Sequence, residues 1–459
     1  SVLYYLSAFE KGYDLWSHDF REQKTSKLAA IGAEKATLEL LQDDSAVIIL
    51  ADGTLMKVTL EGNEPVAEPA AEPVPVTAMR DLDANAERAA MLHHVWQTTR
   101  DRIYLPDILA EARWDEMYAA YAAKLPGIGN NRDFAELVDE LVGELNVSHS
   151  AGHYRGQPGD ITAAIGAIPD SASITDAGIR LALILPQGPL AEASDRAAAG
   201  NRIVAVNDQK LDGNTNYYAL LANQSGIHTR LTLVDGKGEY DVILRPVTVA
   251  EELEWLQEQW VDSRHALVEK LSGGRLGYVY LPEMSDDSYR QVYLDVFGRD
   301  FAKEAVVIDV RDNNGGDLVD WLVQLFSGTQ YMTNVPNGRP AQGEPITEWV
   351  KPSIALTNEG AYSDGHCFAY AWRTLGVSTL VGTPVTGTCT YAGWEMLQSG
   401  DVIAGTPRLG VKGTDGNWLE RNTTWPDVLV YENPASVVAG ADVQLAKAVE
   451  VMLSELDSR

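Results

Sequence analysis

The residue best suited to do chemistry is Ser363, which lies in a short turn between a predicted strand and a predicted helix. The apolar strand runs from Ser353 to Thr357, and the helix begins near Gly365. A serine on such a turn is presented above the sheet beside the positive end of the helix, as in a nucleophile elbow. The segment departs from G-x-S-x-G because Ala361 occupies the first glycine position. The alternative role for Ser363 is an ordinary helix N-cap.

A serine needs a general base to become a nucleophile, and the chain has eight histidines. His149 follows Ser148 at the end of a predicted helical segment, and His153 is close to it in sequence. His366 lies only three residues after Ser363. The residues by themselves do not choose among the three histidines.

Two further predicted strand ends carry groups that could assist catalysis. The buried strand Ala305 to Val310 runs into a turn with Gly315 and Gly316, whose backbone N–H groups are suited to bind an anion or an oxyanion. This turn fits neither the dinucleotide fingerprint nor the phosphate-binding loop. The other strand end, between residues 418 and 430, contains Glu420, a carboxylate that could orient a histidine. A plain turn and a surface glutamate are the alternatives.

The elements that must position these groups lie in the second half of the chain. From about residue 251 to residue 459, predicted strands alternate with predicted helices. Such alternation predicts a mostly parallel sheet covered by helices, within a multidomain α/β fold. Active sites in these sheets lie at the carboxyl ends of the strands. We therefore expect a catalytic domain at residues 251–459.

Three segments with different patterns precede this domain. Residues 1–63 show short alternating strands and turn signals, which favour the end of a β-propeller over a small independent sheet. Residues 64–77 are a tract of Glu, Pro and Ala, which predicts an extended linker. Residues 78–156 have helical periodicity and predict a helical domain that carries Ser148 and His149.

Residues 157–250 resemble a PDZ domain. A strand beginning near Gly178 is followed by a Gly188-Pro189 turn into a short helix and then by a strand ending at Asn207. The resemblance implies an open sheet edge to which an extended peptide can add as a strand. A purely structural role is the alternative.

Bulk properties limit the possible partners and chemistry. The 459 residues, 45% of them hydrophobic, are enough for about three domains. The net charge of −30 predicts no nucleic-acid partner, and no apolar run approaches the length of a membrane span. Cys367 and Cys389 cannot form a zinc site by themselves. Because Cys367 lies in an apolar helical stretch, we expect a buried free thiol, with one disulfide as the alternative.

Taken together, these segments resemble the C-terminal half of tricorn protease, a relative of the C-terminal processing serine peptidases. The resemblance covers about residue 78 to the end. It rests on six motifs in order: the segment ending Ser148-His149, the PDZ-like signature, residues 273–282, residues 309–316, Asn358-Glu359 with Ser363-Asp364-Gly365, and Glu420 ahead of Pro426-Asp427. It implies a crotonase-like or ClpP-like α/β sandwich as the catalytic domain.

The resemblance also implies a role for each site residue. Ser363 is the nucleophile, His149 the general base, and Ser148 and Glu420 the relay that orients the histidine. The oxyanion hole is formed by the N–H groups of Asp364 and Gly315. Such an enzyme acts on peptides or unfolded proteins without a cofactor or metal and assembles as a homo-oligomer.

Two departures from the family's motifs affect these assignments. The family's Asn-Gly-Gly-Gly turn reads Asn313-Asn314-Gly315-Gly316 here, so the oxyanion donor can be shifted by one residue. The residues around Glu420 also differ from the family's Glu-Asn-x-Gly pattern. The leading prediction is a serine peptidase, with a catalytically silent peptide-binding scaffold or an esterase-like hydrolase as alternatives.

Overall fold

The computed structural model of the chain describes residues 2–8, 12–60, 71–75, 81–156, 159–170, 173, 178–212, 214–339 and 343–458. The chain divides into two compact units, residues 1–83 and residues 84–459. No described helix combines the length and the apolar character needed to cross a membrane.

The first unit consists of two antiparallel sheets, as the alternating pattern predicted. Hairpins with turn residues at positive φ connect the strands, for example Asp52 (46°) and Gly53 (83°) between the fifth and sixth strands. Leu15, Val47 and Ile49 are fully buried in its core. The three-stranded sheet comprises β1 (Val2–Ala8), β2 (Tyr13–Asp19) and β3 (Lys24–Ala33), and the four-stranded sheet β4 (Ala36–Leu40), β5 (Ala46–Ala51), β6 (Thr54–Thr59) and β7 (Glu72–Pro73).

The predicted linker at residues 64–77 falls mostly outside the described residues. Within its described part, Glu72–Pro73 form β7 and pair with Lys57 and Met56 of β6. The prediction of a linker is therefore wrong for these two residues, because they are part of a sheet. Proline is tolerated there because β7 is an edge strand, where a missing N–H costs no ladder hydrogen bond.

The second unit begins with the predicted helical segment. Its apolar positions repeat at helical spacing and pack around Leu92, Phe134 and Leu141, each fully buried. Asn130 caps the last of its helices by accepting a hydrogen bond from Asp133 N. The helices are α1 (Ala84–Arg102), α2 (Asp107–Glu111), α3 (Trp114–Ala122) and α4 (Asn131–Gly143), and they are followed by β8 (Ala151–Tyr154).

The described residues between 159 and 250 contain antiparallel strand pairs, and the predicted strand, turn and helix occur there in the expected order. The sheet order is β10-β11-β12-β14-β15, β13 pairs with β12, and β16 pairs with β9. The elements are β9 (Ala163–Ala164), β10 (Ala167–Pro169), β11 (Ile179–Ile184), α5 (Pro189–Ala193), β12 (Arg202–Val206), β13 (Gln209–Lys210), α6 (Tyr217–Leu220), β14 (Thr229–Asp235), β15 (Gly238–Leu244) and β16 (Val247–Thr248).

The rest of the chain confirms the predicted parallel sheet covered by helices. The strand order is β17-β18-β21-β22-β25, and every neighbouring pair is parallel. The elements are α7 (Val249–Ser272), β17 (Leu276–Tyr280), α8 (Asp286–Leu294), β18 (Ala305–Asp309), α9 (Val319–Phe326), β19 (Met332–Thr333), β20 (Gly343–Glu344), β21 (Ser353–Thr357), α10 (Asp364–Leu375), β22 (Leu380–Gly382), β23 (Thr390–Met396), β24 (Val402–Gly410), β25 (Val428–Leu429), α11 (Pro434–Val438) and α12 (Val443–Asp457).

Both faces of this sheet are buried, which explains its continuous apolar strands. Along β18, Val306 and Ile308 pack with α8, α9 and α10 on one face. Ala305 and Val307 pack with α7 and α12 on the other. The alternation follows from the two-residue period of a strand.

A second sheet, β23-β24-β8, joins the helical segment to the parallel sheet. Strand β8 pairs antiparallel with β24, so that His153 lies opposite Ile403. Leu397, Val402 and Ala404 complete the apolar core of α1 to α4. The predicted boundary at residue 156 therefore does not separate two independent cores.

A buried ion network fixes the end of β18. The Arg311 guanidinium donates to both carboxylate oxygens of Asp309 and of Asp442 at 2.7–3.2 Å. Burial alone would lower the pKa of Arg311, but the two carboxylates raise it overall. Because Asp442 also caps α12 through Leu445 N, the network ties the C-terminal helix to the turn that follows β18.

Cys367 of α10 and Cys389 before β23 form a disulfide, with their Cα atoms 5.2 Å apart. The expectation of a buried free thiol is therefore wrong. The helical pattern around Cys367 was interpreted correctly, but the proximity of Cys389 depends on the tertiary fold.

Candidate active site

Ser363 lies between β21 and α10 with a backbone conformation that few residues adopt. Its φ is 55° and its ψ is −118°, a region that costs a non-glycine residue on the order of 1–3 kcal/mol. Its side chain makes no capping hydrogen bond to α10. The N-cap alternative is therefore excluded, and the strained turn is that of a nucleophile elbow.

The hydroxyl of Ser363 is hydrogen-bonded to His149. The distance from Ser363 Oγ to His149 Nε2 is 2.7 Å, although the residues are 214 positions apart in the chain. His149 is in the turn between α4 and β8, and the pairing of β8 with β24 holds that turn against the parallel-sheet region. Burial lowers the pKa of His149, and Glu420 partly opposes this effect. The imidazole is therefore neutral near pH 7 and able to accept a proton.

The other two candidate histidines have different surroundings. His366 is fully buried, with its Nε2 2.9 Å from Thr424 Oγ1. His153 is exposed and stacks on Trp394, with ring centroids 5.6 Å apart. Of the three, only His149 is hydrogen-bonded to Ser363.

Ser148 and Glu420 continue the chain of hydrogen bonds from His149. Ser148 Oγ is 2.9 Å from His149 Nδ1 and 2.7 Å from Glu420 Oε2. A carboxylate only accepts, so the Ser148 hydroxyl donates its proton to Glu420 and accepts from Nδ1–H of His149. Nε2 is then the acceptor for the Ser363 hydroxyl, which is the tautomer that a general base requires.

Glu420 is in a turn between β24 and β25, not at the carboxyl end of a strand as the sequence suggested. It is 6% exposed and also accepts hydrogen bonds from Ser148 N and Thr390 Oγ1, at 2.8 and 2.6 Å. The next residue, Arg421, donates to the carbonyl oxygens of Leu145 and Asn146 at the end of α4. The same turn therefore contacts Ser148 through Glu420 and holds the segment that leads to His149 through Arg421.

The paired-glycine turn lies directly against Ser363. A Cβ on Gly315, which has φ 85°, would be 2.5 Å from Ser363 Cβ, so only glycine fits. The N–H of Gly315 donates to Asn313 Oδ1 at 2.9 Å. The N–H of Gly316 has no hydrogen-bond partner among the described residues. Asp364 N is at the first position of α10, where a helix provides no acceptor.

The side chain of Asp364 connects the two turns. Its Oδ2 accepts hydrogen bonds from Leu318 N and Val319 N, at 2.7 and 3.2 Å, at the start of α9. Burial raises the pKa of Asp364, while these two hydrogen bonds lower it in part. Tyr362 N also donates to Asn313 O at 2.8 Å. The glycine turn and the serine turn are thus held together on both sides of Ser363.

No metal site accompanies these residues: within the described ranges, no three His, Cys, Asp or Glu side chains come close enough to hold an ion. A cleft of about 690 Å³ is lined by Ser353 and Thr379, among others. It lies at the amino ends of β21 and β22, whereas Ser363 follows the carboxyl end of β21. We therefore assign this cleft no part in the site.

Four residues of the site escaped the sequence analysis. Tyr362 accepts a hydrogen bond from His149 N at 2.8 Å, and Thr388 accepts one from Ser363 N at 3.0 Å. Thr390 donates to Glu420, and Arg421 donates to the carbonyl oxygens of the segment that precedes Ser148. Tyr362 and Arg421 adjoin predicted site residues, which is a weak signal. The sequence around Thr388 and Thr390 gave no signal that they belong to the site.

Comparison with known proteins finds similarity to peptidases in two regions of the chain and over most of its length. Residues 84–143 match the tricorn protease C1 domain, and residues 275–430 match peptidase family S41. The chain is 28% identical over 468 residues to tricorn protease homolog 1 of Streptomyces coelicolor, covering 97% of this chain and 42% of that protein. It is 23% identical to tricorn protease of Thermoplasma acidophilum, covering 99% of this chain and 42% of that protein.

The fold is also that of a solved relative. The crystal structure of tricorn protease superposes with a TM-score of 0.79 at 19% identity, covering 99% of this chain and 46% of that chain. The chain thus spans less than half the length of these relatives.

Proposed function

We propose that this chain, which is similar to the tricorn proteases over nearly its whole length and matches family S41 at residues 275–430, is a serine peptidase that forms an acyl-enzyme on Ser363. The observation that carries the proposal is the 2.7 Å contact between Ser363 Oγ and His149 Nε2. It joins a strained serine turn to a neutral imidazole whose tautomer is set by Ser148 and Glu420.

In the acylation step, Ser363 Oγ attacks the carbonyl carbon of a peptide bond while its proton moves to His149 Nε2. Ser148 and the Glu420 carboxylate stabilise the imidazolium that forms. His149 then gives the proton to the leaving amine as the C–N bond breaks. In the second half-reaction, His149 accepts a proton from the water that attacks the carbonyl carbon of the ester. It returns this proton to Ser363 Oγ as the acyl C–O bond breaks, which releases the acid product and regenerates Ser363.

The negative charge on the carbonyl oxygen needs N–H donors beside Ser363. Asp364 N is one proposed donor. The family resemblance implies Gly315 as the second donor, although its N–H is hydrogen-bonded to Asn313 Oδ1 here. Gly316 N, one residue further on, is the alternative donor. Both glycines lie in the turn that contacts Ser363.

The finer domain assignments belong to the same proposal. The order of β11, α5 and β12 supports a PDZ-like domain at residues 157–250, with an open edge for peptide substrates. The two antiparallel sheets formed by β1 to β7 support the end of a β-propeller at residues 1–63, and the parallel sheet β17-β18-β21-β22-β25 supports a crotonase-like or ClpP-like catalytic domain. Oligopeptides and unfolded chains are the proposed substrates, and a homo-oligomer is the proposed assembly.

The proposal is tested with a fluorophosphonate probe and two substrate classes. We expect the probe to label the protein and peptide mapping to locate the label at Ser363. We expect oligopeptides to be cleaved, with turnover lost in proportion to labelling. Absence of labelling together with absence of turnover would favour a silent scaffold. Hydrolysis of simple esters without cleavage of any peptide would favour an esterase.

Glu420→Gln is expected to lower kcat by about 10- to 100-fold, because the imidazolium loses its carboxylate. The pH profile gives a second readout. Activity requires neutral His149, so it falls as the pH drops through the pKa of that residue. Since Glu420 raises this pKa, its removal lowers it, and the acid limb of kcat/KM moves to lower pH. An unchanged acid limb would contradict the assigned coupling between Glu420 and His149.

A further inference from the structure

The strained backbone of Ser363 must be held by its surroundings, since an unfavourable φ persists only where neighbours stabilise it. The N–H of Ser363 donates to Thr388 Oγ1 at 3.0 Å. This side-chain acceptor belongs to a different element from the serine turn. The conformation of the nucleophile therefore depends on a residue that lies 25 positions away in sequence.

Thr388 contacts the relay as well as the nucleophile. Its carbonyl oxygen is 3.3 Å from Ser148 Oγ, which places it beside the hydroxyl that orients His149. Two residues further on, Thr390 donates to Glu420 Oε2 at 2.6 Å. The segment 388–390 thus touches Ser363, Ser148 and Glu420.

The segment is itself fixed from behind. The N–H groups of Thr388 and Cys389 both donate to His366 Nδ1 at 3.1 Å. Burial lowers the pKa of His366 to about 4, so the imidazole is neutral and Nδ1 can accept both bonds while Nε2–H donates to Thr424. The disulfide to Cys367 adds a covalent link to α10, the helix that begins directly after Ser363.

We propose that Thr388 is a positioning residue of the peptidase reaction: its hydroxyl holds Ser363 in the reactive conformation, and the disulfide between Cys367 and Cys389 keeps Thr388 in place. The inference rests on the proposed function. Thr388 does not touch the reacting atoms and acts only through the backbone of Ser363 and the hydroxyl of Ser148. His366, one of the three candidate bases in the sequence, supports the segment 388–390 through its two hydrogen bonds at Nδ1.

The first test compares Thr388→Val with Thr388→Ser. Valine keeps the shape but removes the acceptor, so we expect kcat to fall by about 10- to 100-fold with KM within about twofold. The rate of fluorophosphonate labelling should fall in parallel. Serine restores the hydroxyl and should keep kcat within about threefold of the wild-type value. Thr386→Val, at an exposed position in the same segment, is the control that should behave as wild type.

Circular dichroism and thermal melting establish that each variant is folded. Should Thr388→Val not fold, Thr388→Ala provides the same comparison with less bulk. The inference is overturned if a folded Thr388→Val or Thr388→Ala variant retains the wild-type kcat. It is also overturned if Thr388→Ser, which keeps the hydroxyl, loses as much activity as Thr388→Val. If wild-type protein shows neither labelling nor peptide turnover, the proposed function fails instead, so the two failures are distinguishable.

The second test replaces both cysteines, as Cys367→Ser with Cys389→Ser. We expect kcat and the labelling rate to fall several-fold while the acid limb of the pH profile stays in place, because the substitutions leave the Glu420 charge that raises the pKa of His149 unaltered. Adding Thr388→Val to this background should lower kcat by less than it does alone, since both changes release the same contact. Unchanged kcat in the double-serine variant, or fully multiplicative effects in the combined one, overturns the role of the disulfide.

Discussion

Replacing Ser363 with alanine is expected to lower kcat for peptide hydrolysis by about 10⁴-fold or more and to abolish covalent labelling by a fluorophosphonate. The hydroxyl oxygen forms the bond to the substrate carbonyl, and a methyl group cannot replace it. Folding should be preserved because Ser363 uses its side chain only for the contact with His149, while its backbone bond to Thr388 remains. The measurement is single-turnover and steady-state cleavage of an oligopeptide, followed by mass spectrometry.

Ser150→Ala is a matched control for this variant. Ser150 is two residues from Ser148, and its buried hydroxyl has no hydrogen-bond partner in the described structure. Its loss should leave both labelling and turnover at the wild-type level. Equal labelling of the wild-type protein and the Ser363→Ala variant would show that another residue is the nucleophile.

Replacing His149 with alanine is expected to reduce kcat by a similar factor, about 10⁴-fold, because no other imidazole contacts Ser363. The acid limb of the pH profile should disappear, since the group that titrates there has been removed. Labelling by the probe should slow with turnover, because both need an activated hydroxyl. The pH dependence of kcat/KM between pH 4 and 8 is the measurement.

Two other histidines make this prediction specific. His153→Ala should retain wild-type turnover because its side chain is exposed and stacks only on Trp394. His366→Ala is expected to weaken activity through the Thr388 segment and must first be shown to be folded. Normal turnover in His149→Ala together with complete loss in folded His366→Ala would reverse the assignment of the base.

The local part of the site was predictable from the sequence. Strand β21 has the predicted bounds at Ser353 and Thr357, and the turn with Ser363 follows it. A buried strand, a tight turn and a helix have strong local signatures, because each depends on neighbouring residues. The parallel sheet was predictable for the same reason, because its strands alternate with helices along the chain.

The long-range part was not predictable from local patterns. On the residues alone, His149, His153 and His366 were equal candidates, and only the family resemblance favoured His149. The pairing of β8 with β24 explains how His149 comes to lie beside Ser363. Glu420 was assigned to a strand end, but its turn is shaped by Arg421, which has φ 62° and holds the end of α4. Thr388 gave no signal because a threonine acts there only through partners distant in sequence. The disulfide was missed for the same reason.

The joining of distant segments through β8 and β24 has a consequence for biosynthesis. His149 enters the growing chain 214 residues before Ser363, and Ser148 precedes Glu420 by 272 residues. At about 5–20 residues per second, a ribosome needs roughly 14–54 seconds to add the 272 residues from Ser148 to Glu420. Until β24 has been synthesised and can pair with β8, nothing brings His149 to Ser363 in the nascent chain. If the proposed function holds, the chain is inert while it is being made and gains activity only when its fold is complete.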